Sequence, residues 1–299
     1  MEKPHVTKLN HHAMPDGVKL AVELLQGRAE FPQLLFLHGF GQNRLAFSAS
    51  AKSLSLQGFS CWSLDGRGHG DSDWCAPAGY ELDVFVEDAL HVLTLMRAAA
   101  PGAPAPIVVG ASMGGLIGLL CAAKVPSAVG ALALIDVTPR WEAAGVDRIF
   151  AFMRANPDGF ADLAAANDAV LAYQPQREAQ DPNRLRAHLR VGPDGRFRWH
   201  WDPQLLPKIA EAAQSYTPIL ERAAAMVRCP VLLLSGGRSD VVSEATIESF
   251  MKQVPHATHR QIASATHRVV GDSNQVFTDA MLEFLSQFAT APPAKLARN

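Results

Sequence analysis

The stretch Ile107-Val-Val-Gly-Ala-Ser-Met-Gly-Gly115 says most about how this chain folds. Its β-branched start predicts a strand, and the residues from Leu116 to Lys124 predict a helix. A G-x-S-x-G pattern at such a junction is typical of a very tight turn that pushes the serine hydroxyl out of the sheet, because the two glycines let strand and helix approach closely. Ser112 is therefore a candidate nucleophile. An ordinary glycine-rich loop is the competing interpretation, and the rest of the chain decides between them.

The composition is that of an ordinary globular protein, with 299 residues of which 48% are hydrophobic and 19% charged. This length allows one large α/β domain or a domain with an insertion. The net charge of -2 gives no general attraction to nucleic acid or to an anionic membrane. The four scattered cysteines include no C-x-x-C pair, which favours buried free thiols. The sequence shows neither a signal peptide nor a membrane span, and we expect a cytoplasmic protein.

Short apolar strands alternate with helices along most of the chain. Two antiparallel strands are predicted between Val6 and Leu25. Later strands are mostly apolar runs, which are typical of strands that are buried on both faces; they lie near 33–37, 59–64, 107–109, 129–135 and 231–234. A further strand is predicted near 260–262. The helices predicted among them include 82–99, 244–253 and 275–288. This alternation predicts a parallel sheet wound by right-handed crossovers.

The alternation stops at about Pro139 and resumes near Pro230. The intervening residues predict helices at 146–155, 160–173, 182–190 and 205–226, with a small hairpin about Pro193-Asp-Gly195. We therefore expect an α/β core domain of residues 1–137 and 226–299, interrupted by a helical insertion at 138–225.

A nucleophilic serine needs a base and a carboxylate that orients the base. In a parallel sheet, such groups lie on loops at the carboxyl ends of the strands. Asp240 follows the strand at 231–234, and His267 follows the strand at 260–262. Their order after Ser112 is serine, aspartate, histidine, as this topology requires. Taken alone, Asp240 could be a surface carboxylate and His267 an incidental loop histidine.

The negative oxygen that develops in acyl transfer also needs hydrogen-bond donors. The backbone N–H of Met113, at the start of the helix after Ser112, is one candidate. The other is the N–H of Phe40 in the turn His38-Gly-Phe-Gly41, which follows the first buried strand. Because both donors are backbone groups, the side chains of Phe40 and Met113 are free to line a pocket or to pack in the core.

Together with the segment Asp65-Gly-Arg-Gly-His-Gly-Asp-Ser72, these motifs resemble the α/β-hydrolase superfamily, in its serine-nucleophile branch with a helical cap (lid) domain. The resemblance covers roughly residues 6–137 and 226–290. It implies a mostly parallel eight-stranded sheet flanked by helices, with a mainly helical cap inserted after strand 6. It implies no metal and no organic cofactor. The residue roles it implies are Ser112 as nucleophile, His267 as general base and acid, Asp240 as orienting carboxylate, and the N–H groups of Phe40 and Met113 as oxyanion hole.

Several departures from the family pattern bear on these roles. Asp136 also ends a strand, and a few members of the superfamily place the acid there, so it remains an alternative to Asp240. A serine at position 112 disfavours the branches that form an aspartate ester, namely epoxide hydrolases and haloalkane dehalogenases. The residue after His267 is Arg268, whereas many carbon–carbon bond hydrolases of the superfamily have an aromatic residue there.

The insertion is expected to set specificity. Its candidate pocket residues are Phe150, Phe152, Met153, Tyr173 and Trp199, for which core packing is the alternative. Three arginines in the insertion could receive a substrate carboxylate or could simply lie on solvated helix faces: Arg154, Arg186 and Arg190.

These features predict a serine hydrolase that cleaves a small or medium carboxylic ester, or a related acyl bond, through an acyl-enzyme intermediate. Carbon–carbon bond hydrolases of the meta-cleavage type, lactonases and perhydrolase-type haloperoxidases use the same set of residues and remain possible. A ligand receptor on this fold without catalytic activity is a further option. The expected partner is a small-molecule ester or acyl substrate, with neither nucleic acid nor membrane as a partner and a homo-oligomer as an open option.

Overall fold

A computed structural model describes residues 7–174, 182–272 and 274–288. Its main sheet has eight strands in the order β1-β2-β4-β3-β5-β6-β9-β10. A separate two-stranded hairpin consists of β7 (Leu189–Val191) and β8 (Phe197–Trp199). The strands of the main sheet are β1 (Thr7–Ala13), β2 (Lys19–Leu25), β3 (Leu34–Leu37), β4 (Cys61–Leu64), β5 (Ile107–Ala111), β6 (Ala131–Ile135), β9 (Val231–Gly236) and β10 (Ala257–Ile262).

The pairing of these strands confirms the predicted sheet. β2 pairs antiparallel with β1 and β4, and the other pairs in the main sheet are parallel. All parallel strands run the same way, so the loops after β5, β6, β9 and β10 meet at one edge of the sheet.

Helices cover both faces of the sheet, as predicted. They are α1 (Ser48–Leu56), α2 (Leu82–Ala99), α3 (Met113–Lys124), α7 (Glu244–Gln253), α8 (Val269–Asp272) and α9 (Asn274–Leu285). Val108 of β5 packs in the cluster that includes residues of α2 and α3, whereas Ile107 and Val109 pack in the cluster with residues of α1 and α9. Adjacent residues of a strand point to opposite faces, so a strand buried on both faces must be apolar throughout.

Between β6 and β9 the chain forms α4 (Ala143–Arg154), α5 (Leu163–Tyr173), the β7–β8 hairpin and α6 (Leu205–Met226). The predicted helix at 182–190 is instead a 3₁₀ helix, Pro182–His188, which leads directly into β7. α6 does not stay apart from the sheet domain, because its buried Leu205 and Leu220 belong to the same apolar cluster as α2 and α3.

Other short 3₁₀ helices complete the described secondary structure: Arg44–Phe47, Pro77–Tyr80, Pro126–Ala128 and Ser286–Phe288. Among the described residues, no helix has the length and apolarity needed to cross a membrane. The predicted domain limits at residues 1 and 299 lie outside the described residues.

Candidate active site

Ser112 sits at the turn between β5 and α3, in a backbone conformation with φ 49° and ψ -121°. The two glycines of the motif are required by close backbone contacts. A Cβ on Gly114 would lie 2.1 Å from the carbonyl oxygen of Leu37, and a Cβ on Gly110 would lie 2.3 Å from the carbonyl oxygen of Gly114. The turn therefore holds the serine at an unfavourable φ, and its surroundings leave no room for larger residues at either glycine.

His267 lies on the loop after β10 and reaches Ser112. Its Nε2 is 3.1 Å from Oγ of Ser112, and its side chain is largely buried. Nδ1 of the same ring faces a carboxylate at 2.7 Å, so Nδ1 donates and Nε2 is free to accept the serine proton. A serine and a histidine in this relation can act as nucleophile and base.

The carboxylate at Nδ1 of His267 belongs to Asp136, the first residue after β6. Asp136 is fully buried and accepts two further hydrogen bonds. The N–H of Gly236 donates to Oδ1 at 2.7 Å, and the hydroxyl of Ser239 donates to Oδ2 at 2.5 Å. Three donors from β9, its following loop and the His267 loop therefore fix the orientation of this carboxylate.

The predicted position of Asp240 against His267 is wrong. The Asp240 carboxylate forms an ion pair with Arg148 of α4 and is partly exposed. The loop after β9 turns back through two hydrogen bonds, from the N–H of Arg238 to the carbonyl of Ala265 and from the N–H of Ser239 to that of Gly236. This turn brings Ser239, and not its neighbour Asp240, against the buried acid. Asp136, the alternative left open by the sequence, occupies the predicted place.

The turn after β3 lies directly beside Ser112. A Cβ on Gly39 would be 3.3 Å from Cβ of Ser112. The turn is closed by a hydrogen bond from the N–H of Gln42 to the carbonyl of Gly39 (3.0 Å). Gly41 has a positive φ of 73°, and Phe40 and Met113 both line the cavity above Ser112. The turn that contains Phe40 therefore lies next to Ser112, and Met113 follows Ser112 directly in the chain.

A histidine from the charged segment after β4 supports that turn. The N–H of Gly41 donates to Nε2 of His69 at 3.2 Å, and Nδ1 of His69 lies 3.0 Å from the carbonyl of Arg67. Burial lowers the pKa of His69 well below its usual value, so the ring stays neutral and Nε2 can accept. His38 and His200 are similar: each is buried, has a pKa lowered chiefly by burial, and accepts a backbone N–H.

Neither His69 nor Ser239 was predicted from the sequence as a residue of the site. The segment that contains His69 is braced by Arg67, which is buried and forms a bidentate pair with Asp88, at 2.7 Å for both contacts. Nothing local in the sequence distinguishes Ser239 from any other loop serine, since its partner is 103 residues away.

A cavity of about 420 Å³ opens above Ser112 and His267. Its described lining is mostly apolar and contains the predicted pocket residues, which are Phe150, Phe152, Met153, Tyr173 and Trp199. The three arginines suggested for carboxylate binding lie elsewhere. Arg154 and Arg186 are exposed, and Arg190 stacks over Trp74 and donates to the carbonyl of Gly70. In the described part of the chain, His, Cys, Asp and Glu side chains do not converge in a group that could hold a metal ion.

A mostly parallel eight-stranded sheet with a serine at the tight turn after β5 defines the α/β-hydrolase fold. The chain belongs to this superfamily, in the family described as serine aminopeptidase, S33, whose model matches residues 31–274.

Named relatives agree with this assignment. The chain is 30% identical over 261 residues to 2-(acetamidomethylene)succinate hydrolase of Mesorhizobium japonicum. The aligned region covers 87% of this chain and 88% of the relative. The chain is 28% identical over 242 residues to an esterase of Mycobacterium tuberculosis, covering 79% of this chain and 76% of the relative. The crystal structure of E-2-(acetamidomethylene)succinate hydrolase superposes with a TM-score of 0.81 at 27% identity, covering 94% of this chain and 99% of that chain. The protein is therefore a hydrolase.

Proposed function

We propose that this protein hydrolyses small or medium carboxylic esters through an acyl-enzyme intermediate on Ser112. The observation that carries the proposal is the contact of 3.1 Å between Ser112 Oγ and His267 Nε2, at the floor of an apolar cavity of about 420 Å³. A serine hydroxyl in the cavity lining, its base and a site of this size for an acyl chain support ester cleavage.

In the proposed reaction, Nε2 of His267 takes the proton of Ser112 as Oγ attacks the ester carbonyl. The N–H groups of Phe40 and Met113 stabilise the resulting oxyanion, and each such donor contributes about 3 kcal/mol to transition-state stabilisation. His267 then gives its proton to the leaving alcohol. A water molecule, activated by the same ring, releases the acid and restores Ser112.

We assign the orienting role to Asp136. Its contact with Nδ1 at 2.7 Å keeps the imidazole in the tautomer whose Nε2 accepts, and its negative charge stabilises the imidazolium that forms. The hydroxyl of Ser239 and the N–H of Gly236 hold Asp136 in place, so they act through it.

We further propose that residues 138–225 act as the cap domain and set which acyl or alcohol groups enter. In support, the predicted pocket residues Phe150, Met153, Tyr173 and Trp199 come from α4, α5 and β8 of this segment and line the cavity. The stacked rings of Phe152 and Tyr173, 4.4 Å apart, join α4 to α5 beside them. The apolar lining favours apolar chains, and the volume of about 420 Å³ favours short and medium chains over very long ones.

The test is hydrolysis of p-nitrophenyl acetate, butyrate and octanoate by wild type and by Ser112→Ala. We expect turnover by wild type, best at an intermediate chain length, and a loss of about 10³-fold or more in Ser112→Ala. A fluorophosphonate should label wild type and not the variant. If wild type neither hydrolyses an ester nor reacts with the fluorophosphonate, the proposal is wrong.

A second candidate is amide hydrolysis, because the relative in Mesorhizobium japonicum is named for a substrate that carries an acetamido group. The same serine chemistry cleaves amides when the site protonates the leaving nitrogen. Assaying an acetanilide beside the matched phenyl acetate separates ester hydrolysis from amide hydrolysis. Faster turnover of the amide than of the ester would favour amide hydrolysis. Lactones and meta-cleavage dienones, assayed in the same way, test for lactonase and carbon–carbon bond hydrolase activity.

A further inference from the structure

One charged side chain in the cavity has no role in the proposed ester cleavage. Arg268 directly follows His267 and lines the same cavity. Its Nη1 donates to Oε1 of Gln174, at the end of α5, at 2.7 Å. The guanidinium also lies over Gly271, where an added Cβ would be 3.3 Å from Nη2. The backbone of Gly271 on one side and the amide of Gln174 on the other thus hold the guanidinium in a defined position.

The charge of Arg268 is not matched in the described lining. That lining includes no aspartate or glutamate and no lysine or second arginine. The nearby carboxylate of Asp240 is paired with Arg148, whose guanidinium lies 5.7 Å from the ring centre of Tyr173. An arginine whose partner is an amide oxygen keeps its full positive charge and most of its five N–H donors available for a ligand.

Arg268 also bears on a second residue of the cavity lining, Tyr173. Burial is the main cause that raises the pKa of the Tyr173 hydroxyl, and Asp240 adds to it, whereas Arg148 and Arg268 act in the opposite direction. A fixed guanidinium in a mainly apolar site is the arrangement that recognises a carboxylate strongly and specifically.

We propose that Arg268 binds a free carboxylate of the substrate, so that the preferred substrates are esters that also carry an acid group. This inference rests on the proposed ester hydrolysis and names its substrate class. The acid group could belong to the acyl part, as in a half-ester of a dicarboxylic acid, or to the alcohol part. An acid group on either part presents the same carboxylate to Arg268, and separate test substrates distinguish the two positions.

The test uses matched pairs of esters that differ only in the acid group, with proton release as the assay. Monomethyl adipate is paired with methyl hexanoate for the acyl side, and 4-acetoxybenzoate with 4-methylphenyl acetate for the alcohol side. We expect wild type to prefer the acidic member of one pair by at least about 10-fold in kcat/KM. Arg268→Gln should lower kcat/KM for that member by roughly 10- to 100-fold, mainly through KM, and change its neutral match less than about threefold. Arg268→Lys should restore part of the loss.

The matched control is Arg260→Gln on β10, which removes an equal charge from an exposed ion pair with Glu283 and should change kcat/KM for none of these esters. Equal losses for both members of each pair in Arg268→Gln, or no preference in wild type, would overturn the proposal. Calorimetry on Ser112→Ala tests it without turnover: monomethyl adipate or 4-acetoxybenzoate should bind more weakly when Arg268→Gln is added. Absence of that weakening also overturns it, whereas loss of ester cleavage with binding intact affects only the proposed function.

Discussion

Ser112 and Asp136 follow neighbouring parallel strands and share an unusual backbone conformation, with φ 49° at Ser112 and 50° at Asp136. They are the non-glycine residues with positive φ in the described part of the chain. Each residue still continues the hydrogen bonding between the strands. The N–H of Ser112 donates to the carbonyl of Ile135 (3.0 Å), and the N–H of Asp136 donates to the carbonyl of Leu234 (2.7 Å). The chain then turns sharply, and both side chains face His267. Strain of this kind persists only where the surrounding structure imposes it.

This relationship makes the identity of the acid testable. Asp136→Asn should lower kcat by about 10³-fold or more, because an amide at Nδ1 of His267 favours the wrong tautomer and cannot stabilise the imidazolium. Asp240→Asn should change kcat less than about threefold, since it removes a partly exposed pair with Arg148. Steady-state kinetics on the best p-nitrophenyl ester measures both, with thermal unfolding as a check on folding. The reverse ranking of the two variants would restore Asp240 as the acid.

Ser239 is expected to position Asp136. Ser239→Ala removes the hydroxyl that donates to Oδ2 at 2.5 Å, so the carboxylate loses one of its constraints and kcat should fall roughly 10-fold with little change in KM. Ser239→Thr keeps a hydroxyl and should recover much of the rate. Ser243→Ala is the matched control: it removes the cap of α7 and should cost about 1 kcal/mol of stability without lowering kcat. Equal kcat in Ser239→Ala and wild type would show that this hydroxyl is dispensable.

The tight turn at Ser112 should tolerate no side chain at Gly114. Gly114→Ala places a Cβ 2.1 Å from the backbone oxygen of Leu37, which cannot move without shifting β3, and we expect a loss of more than about 3 kcal/mol in unfolding free energy. Gly102→Ala is the control, since φ there is 87° but no atom lies within 4 Å of an added Cβ. It should cost only about 1–2 kcal/mol. Urea unfolding of both variants compares them, and a similar loss in each would mean that the contact with Leu37 costs no more than an unfavourable φ at an open position.

The buried histidines predict a loss of stability in mild acid. Burial lowers the folded-state pKa of His69 and His200 well below 6.5. Above pH 6.5 both states are neutral at these rings and the full stability is present. As the pH falls from 6.5, the unfolded chain gains protons that the folded chain does not, so each ring lowers the unfolding free energy by about 1.4 kcal/mol per pH unit until the folded pKa is reached.

Urea unfolding at pH 7.5, 6.5 and 5.5 measures this dependence. His200→Asn should reduce the slope below pH 6.5 by roughly one proton, or about 1.4 kcal/mol per pH unit. An unchanged slope in His200→Asn would mean that the ring of His200 titrates in the folded protein near its ordinary value.

Much of the fold follows from the sequence alone. Apolar runs such as 107–109 and 231–234 are typical of strands buried on both faces, and their alternation with helices predicts a wound parallel sheet. The limits of α2 and α6 coincide with the predicted limits, 82–99 and 205–226. Within the site, the tight turn at Ser112 and the position of His267 after a late strand could be predicted from the sequence, because both depend on local backbone geometry.

The tertiary structure decided which aspartate meets His267, and that Ser239, His69 and Arg268 belong to the site. Two aspartates, Asp136 and Asp240, both follow strands that end at the right edge of the sheet. Only the turn of the β9 loop, set by hydrogen bonds to Ala265 and Gly236, directs one carboxylate inward and the other to Arg148. The direction of a side chain beyond a strand end depends on contacts with residues far away in the chain, and a sequence pattern carries no record of those contacts.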